Sequence, residues 1–284
     1  MYTQSVNKTD SSHPSCHLWV GTSGYSYAEW TDAGFYPPGI PPARMLPVYA
    51  RSFSIVELNY TWYQMPKPEA LERMASQAPP DFRFTAKLTR SLTHEVEPAQ
   101  WRGEVSRYRD GISVLIQSGQ LVAVLAQFPP NFDRVLKNRR FLAELLDELD
   151  GIPLAVEFRH RSWANERVFA ELEHRKITMV TVDTPSLPGL FPGLDVVTNP
   201  ELFYIRFHGR NERGWRSGSM QKQFDYYYTD DQLFDLANGP VAKMARQAGC
   251  GVMFFNNHVR GQAADNARTF MAKLVECGMM KLVP

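Results

Sequence analysis

The feature that most constrains this chain is a repeated alternation of short β-rich runs with amphipathic helical segments. Eight candidate strands stand out: Leu18–Ser23, Ile55–Asn59, Phe82–Leu88, Leu121–Phe128, Leu154–Arg159, Thr178–Asp183, Phe203–His208 and Val252–Asn256. Most are rich in Val, Ile, Phe or Tyr and stop at a polar cluster or at Pro or Gly, which is how buried strands read. Helical patterns lie between them over Pro42–Arg51, Lys67–Gln77, Val105–Gln117, Asn138–Leu149, Ala164–Arg175, Asp230–Gln247 and Ala263–Glu276. Phe141, Leu142, Leu145, Leu146 and Leu149 form one apolar stripe, the pattern of a helix laid on a sheet. The connection 184–201, with Pro185, Pro188, Pro192 and Pro200, has no convincing helix.

Such alternation along one chain closes into a barrel more naturally than it opens into a doubly wound sheet. A dinucleotide-binding sheet carries a glycine-rich phosphate turn after its first strand, and Gly21-Thr22-Ser23-Gly24 is not one. The expected fold is α/β: a single (β/α)8 TIM-like barrel over residues 18–284, with an irregular connection between strands 6 and 7. A chain of 284 residues, 44% hydrophobic, can bury one such core, and no composition break divides it. Residues 1–17 are polar, lack the apolar stretch of a secretory signal, and read as a disordered leader. No apolar run reaches the roughly 18 residues of a membrane helix, so a cytoplasmic protein with no membrane partner is expected. Cys16, Cys250 and Cys277 are far apart, have no metal-ligand spacing and fit a reducing compartment.

Strand parity locates the chemistry. Residues two apart in a strand share a face. Val56 and Leu58 oppose Glu57 and Asn59; Phe84 and Ala86 oppose Thr85 and Lys87; Val124 and Ala126 oppose Leu125 and Gln127. Further on, Val156 and Phe158 oppose Glu157 and Arg159; Val180 and Val182 oppose Thr181 and Asp183; Ile205 and Phe207 oppose Arg206 and His208. One face is apolar, to meet helices. The other turns polar at the C-terminal end of strand after strand, and in a parallel barrel those residues converge on one mouth.

The converging set is mixed in sign: Glu57, Glu157 and Asp183 against Lys87, Arg159 and Arg206, with His208, Asn59, Gln127, Asn256 and Asn257 around them. Isolated charges there are costly, so they are paired, hydrated or used. Lys87, Arg159 and Arg206 suit a phosphate or carboxylate, and Glu57 and Glu157 could move protons, assisted by His208. His94, His160, His208 and His258 stand near strand ends, but no HxH or HExxH spacing marks a metal site. After the seventh strand, Arg210, Arg213, Trp215 and Arg216 combine basic and aromatic character as a nucleic-acid contact would, although the net charge of +1 argues against a wholly basic surface.

The motifs themselves resemble those of the DUF72 (YecE-like) family. They are Gly21-Thr22-Ser23-Gly24-Tyr25-Ser26-Tyr27 with Trp30 and Phe35-Tyr36-Pro37, Val56-Glu57-Leu58-Asn59-Tyr60-Thr61-Trp62-Tyr63, Phe84-Thr85-Ala86-Lys87 and Thr93-His94. Further on come Gln127-Phe128-Pro129-Pro130, Glu157-Phe158-Arg159-His160 with Trp163, Arg206-Phe207-His208-Gly209 and Phe255-Asn256-Asn257. Tyr60 and Trp62 stand where that family more usually has a small polar residue and Phe. The resemblance implies a TIM-like barrel and a shared pocket that includes Tyr25 and Tyr60, and it implies little about chemistry. Three readings follow: an enzyme acting on a small anionic, phosphorylated or sugar-like substrate; a nucleic-acid-binding or processing protein; and a non-catalytic binding protein with a paired ionic core. Cofactor and oligomeric state are left open.

Overall fold

In the computed structural model, which describes residues 16–281, the β-rich runs form eight parallel strands. These are β1 (His17–Thr22), β2 (Ile55–Leu58), β3 (Arg83–Lys87), β4 (Leu121–Gln127), β5 (Leu154–Glu157), β6 (Thr178–Asp183), β7 (Leu202–Phe207) and β8 (Cys250–Phe255). Their order, β1-β8-β7-β6-β5-β4-β3-β2, curls into a nearly closed barrel with helices packed outside. β1 opens at His17, inside the segment read as a leader; Cys16 before it is also described, and residues 1–15 of that segment lie outside the described residues. No helix among the described residues is long and apolar enough to cross a membrane.

The seam between β1 and β2 is held differently from the others. Its ladder is reduced to one parallel bridge, Ser23 with Glu57, where the Gly24 N–H donates to the Glu57 carbonyl at 2.8 Å. Below the bridge a side chain stands in for the ladder. The Tyr49 hydroxyl accepts from the Thr22 N–H at 2.9 Å and donates to the Ile55 carbonyl at 3.1 Å. Gly21 permits the approach, since a Cβ there would lie 2.3 Å from the Ile55 carbonyl oxygen. Tyr49→Phe is expected to cost about 1–3 kcal/mol, because it leaves buried backbone groups unpaired. Urea denaturation checks this, and an unchanged midpoint would remove the hydroxyl from the account of closure.

Outward side chains of the strands meet the helices. Leu142, Leu145, Leu146 and Leu149 are all buried, as their stripe requires. Two helices begin earlier than their patterns suggest, at Trp101 and Leu136. The segment 230–247 is not one helix but Asp230–Leu236, a π turn over Ala237–Val241, and Ala242–Ala245. Pro240 explains the break: it has no N–H to donate and its ring crowds the preceding turn, so the helix widens to carry it.

The connection 184–201 has no helix and runs beside β6. Thr198 Oγ1 donates to the Ile177 carbonyl at 2.6 Å, and Thr181 Oγ1 donates to the Leu194 carbonyl at 2.8 Å. This corrects the parity of β6. Val182 pairs with inward Arg206, and Asp183 with outward Phe207, so Val180 and Val182 point into the barrel while Thr181 and Asp183 point out. A covering helix would present an apolar stripe; an extended segment presents unpaired backbone carbonyls, and the outward face of β6 meets them with a hydroxyl.

Candidate functional site

Inside the barrel, where Val, Ile and Leu ordinarily fill the layers, lies a buried ion cluster. Glu57 and Glu157 are 0% exposed, Arg206 1% and Arg159 8%. Arg206 bridges the carboxylates: Nη2 donates to Glu57 Oε1 at 2.7 Å and Nη1 to Glu157 Oε2 at 2.6 Å. Glu57 Oε2 accepts from the Tyr204 hydroxyl at 2.6 Å, and Glu157 Oε1 accepts from Arg159 Nε at 2.5 Å. Burial alone would raise the Glu157 carboxyl, but Arg159, Arg206 and His208 prevail and hold it well below the usual carboxylate range.

His208 completes the cluster from the end of β7. Its Nε2 lies 3.2 Å from both Glu157 Oε1 and Arg159 Nη2, and a neutral ring can serve only one of them. Asn256 Nδ2 donates to Nδ1 at 3.0 Å, which places the ring proton on Nε2, toward Glu157. Burial first and Arg159 second lower the imidazole to about 3, so it stays neutral.

Above the cluster opens a cavity of about 970 Å³, lined among others by Tyr25, Asn59, Tyr60, Trp62, Lys87, His94, Gln127, Arg159, Phe224 and Asn256. Arg159 and Arg206 reach its floor, and their charges are balanced by the two carboxylates buried beneath. Lys87 is the additional charge. Its Nζ sits over the Trp62 ring, 5.1 Å from the centroid, and among the described residues no carboxylate lies within 4 Å of it. Burial first and Arg206 second lower its pKa to about 7, against a weaker upward pull from Glu57 and Glu157. His94 shares the wall. Burial first and Lys87 second lower it to about 4. Its Nδ1 lies 2.8 Å from Thr93 Oγ1 and 3.4 Å from the Trp62 indole nitrogen, which fix the ring on the wall. Asn59 Oδ1 and the Tyr60 hydroxyl are buried without partners among the described residues. Burial raises the Tyr25 and Tyr60 hydroxyls, which remain protonated.

Of the residues singled out in sequence, Glu57, Glu157, Arg206 and His208 form the buried cluster. Tyr25, Asn59, Tyr60, Lys87, His94, Gln127, Arg159 and Asn256 line the cavity above it, and Arg206 reaches the same space. Three lie elsewhere. Asp183 faces outward, held by Arg210 at 2.8 Å and accepting from the Tyr228 hydroxyl at 2.6 Å. Asn257 donates to the Tyr226 carbonyl at 2.8 Å and to Asn266 Oδ1 at 2.9 Å, tying a loop to the helix Gln262–Glu276. Trp215 stacks its ring 5.4 Å from the Arg159 guanidinium carbon and pins the loop after β7 over the cluster. Glu29, Tyr27 and His258 also line the cavity. The Tyr27 and His258 rings stack at 4.7 Å, and Glu29 Oε1 lies 3.6 Å from His258 Nδ1, beyond hydrogen-bond reach. Sequence marks His258 as a strand-end histidine and Tyr27 within the first motif, but nothing marks Glu29 or joins the three, which come from opposite ends of the chain.

In the loop after β7, Arg210 is bound to Asp183 and Arg216 lies 3.8 Å from Glu212, so much of its positive charge is answered locally. Among the described residues no three His, Cys, Asp or Glu side chains converge as a metal-ligand set.

A family profile described as "Protein of unknown function DUF72" matches residues 19–281. UPF0759 protein YunF of Bacillus subtilis is 27% identical over 94% of this chain and 98% of its own. A solved DUF72 family structure from Thermotoga maritima has a TM-score of 0.82 at 38% identity, covering 91% of this chain and 99% of its own. One from Enterococcus faecalis has a TM-score of 0.83 at 26% identity, covering 94% of this chain and 97% of its own.

Proposed function

This chain belongs to the DUF72 family, and we propose that it is an enzyme acting on a small anionic substrate bound in the cavity at the barrel mouth. One observation carries the reading: the ion cluster is balanced without Lys87, and Lys87 faces the cavity over an aromatic wall. A purely structural ion network has no use for an additional unpaired cation, since burying one is unfavourable. An anion compensates it. Arg159 presents a second positive group to the same space. Asn59 and Tyr60 offer polar atoms that have no hydrogen-bond partner among the described residues.

In this reading Glu57 and Glu157 do not move protons. Both are sealed from the cavity and taken by guanidinium and phenol donors, so they fix Arg206 and Arg159 in place. Lys87 is the titrating group in their place, a cation that pairs with an anion below pH 7 and a neutral amine able to accept a proton above it.

Calorimetric titration with inorganic phosphate, acetate and a sugar phosphate at low salt tests the reading. Binding of at least one is expected to weaken as pH rises through 7, where Lys87 loses its charge, and to fall at least about tenfold in Arg159→Gln, the loss of one charged hydrogen-bonding partner. Anion binding that ignores both pH and Arg159, or binding only to oligonucleotides with a steep salt dependence, would overturn it.

A further inference from the structure

We propose that Lys87 is a nucleophile that captures an aldehyde or ketone bearing an anionic group as an imine. The inference deepens the anionic-substrate reading above and rests on it. Four features of the geometry support it. Lys87 Nζ projects from the C-terminal end of β3 into the cavity and has no carboxylate within 4 Å among the described residues to hold it as an ammonium. Its nearest aromatic neighbour, Trp62, gives a flat wall beside the amine against which a planar imine can lie. His94, on the same wall, is a neutral imidazole, the kind of group that polarises a carbonyl without protonating it. Arg159, lining the same cavity, presents positive charge for the anionic group of the same molecule.

The charge balance of the site also suits the step. The neutral amine attacks the carbonyl carbon, a C–N bond forms, and the π pair moves to oxygen. The nitrogen loses a proton and the oxygen gains one, giving a carbinolamine. A further proton from solvent lets water depart as the nitrogen lone pair closes the C=N bond. The product is a protonated imine and one water, with no oxidant or reductant required. Its positive charge occupies the place that the lysine ammonium would take, so the balanced cluster beneath is undisturbed. Burial beside two guanidiniums supplies the neutral amine near pH 7.

Reductive trapping tests the proposal. The full chain is incubated at pH 7 with glyoxylate, an anionic aldehyde, or with propanal, a neutral one, in the presence of sodium cyanoborohydride, and modified peptides are mapped by mass spectrometry. Lys87 is expected to be alkylated by glyoxylate at least about tenfold faster than any surface lysine, given their far smaller neutral fraction. Its rate should level off above pH 7 instead of climbing to pH 10. Lys87→Arg, which keeps the charge, should abolish that labelling, and Arg159→Gln should slow glyoxylate while sparing propanal. Labelling spread evenly over surface lysines overturns the imine, and if phosphate and acetate still bind in the cavity the anionic reading survives alone. Equal labelling of Lys87 by both aldehydes, unaffected by Arg159→Gln, overturns the anionic reading and the anionic part of this proposal while leaving the nucleophile.

Discussion

Replacing Arg206 with methionine is expected to cost about 3–5 kcal/mol of folding stability, the penalty of stranding buried charge. The guanidinium is 1% exposed and bridges two carboxylates that are 0% exposed, one from β2 and one from β5. Its removal leaves Glu57 with the Tyr204 hydroxyl alone, and Glu157 with Arg159 and a neutral imidazole. The loss is a loss of compensation, not of packing, and this can be separated experimentally. Arg206→Met combined with Glu57→Gln removes one charge of each sign, leaves the Glu157–Arg159 pair in place, and should recover much of the stability. The sign with pH follows from the Glu157 carboxyl being held low: the stabilisation is present above its ordinary range near 4.5 and disappears as pH falls through the lower folded value. Urea denaturation at pH 7 and pH 3 reads both effects. A loss below about 1 kcal/mol for the single variant, the worth of an exposed pair, would mean that water reaches the cluster.

Lys87→Met is expected to act in the opposite sense: the variant is more stable than the natural protein at pH 7 and loses the fast labelling by carbonyl compounds. A lysine lowered to about 7 in the folded state from 10.5 is bound by fewer protons than in the unfolded chain throughout that interval. Stability of the natural protein therefore rises with pH from about 7 to 10.5, and the full penalty of holding Lys87 is felt below 7. Methionine has a similar length and no charge, so the variant lacks the penalty at every pH. The difference in unfolding free energy between the two proteins should shrink steadily as pH is raised from 7 to 10. A variant less stable than the natural protein, with a constant difference across that range, would show that Lys87 is held as a well-compensated ammonium. A protein that keeps a destabilising residue in its cavity is trading stability for function.

Much of this was legible in sequence, and the reasons are local. β7 reads Phe203-Tyr204-Ile205-Arg206-Phe207-His208, and its alternation of large apolar and polar residues left one assignment of faces. β2 and β5 were as clear, each with a glutamate opposed by Val, Leu or Phe. β6 was not. Thr178-Met179-Val180-Thr181-Val182-Asp183 carries small and branched residues on both faces, and its outward polar groups serve a helix-free connection whose path the sequence does not encode. Asn257 follows Asn256 directly, so both stand at the end of β8; nothing local says that one faces the cavity and the other a loop. The roles of the charges were less legible than their positions. Sequence places Glu57, Glu157, Lys87, Arg159 and Arg206 at one mouth, but which carboxylate neutralises which cation depends on depth along the barrel axis. That depth decides the chemistry. Four charges satisfy one another, and Lys87, at the end of β3, faces the same cavity with no carboxylate within 4 Å among the described residues.

The most direct measurement is the titration of Lys87 itself, followed by NMR through its side-chain carbon in protein made with labelled lysine and assigned with Lys87→Met. A midpoint near pH 7 is the predicted result, and it would establish the uncompensated amine on which anion binding and carbonyl capture both depend. A midpoint above pH 10 would contradict the account, because it would show an ammonium as comfortable as one in water and leave the cavity without its reactive group.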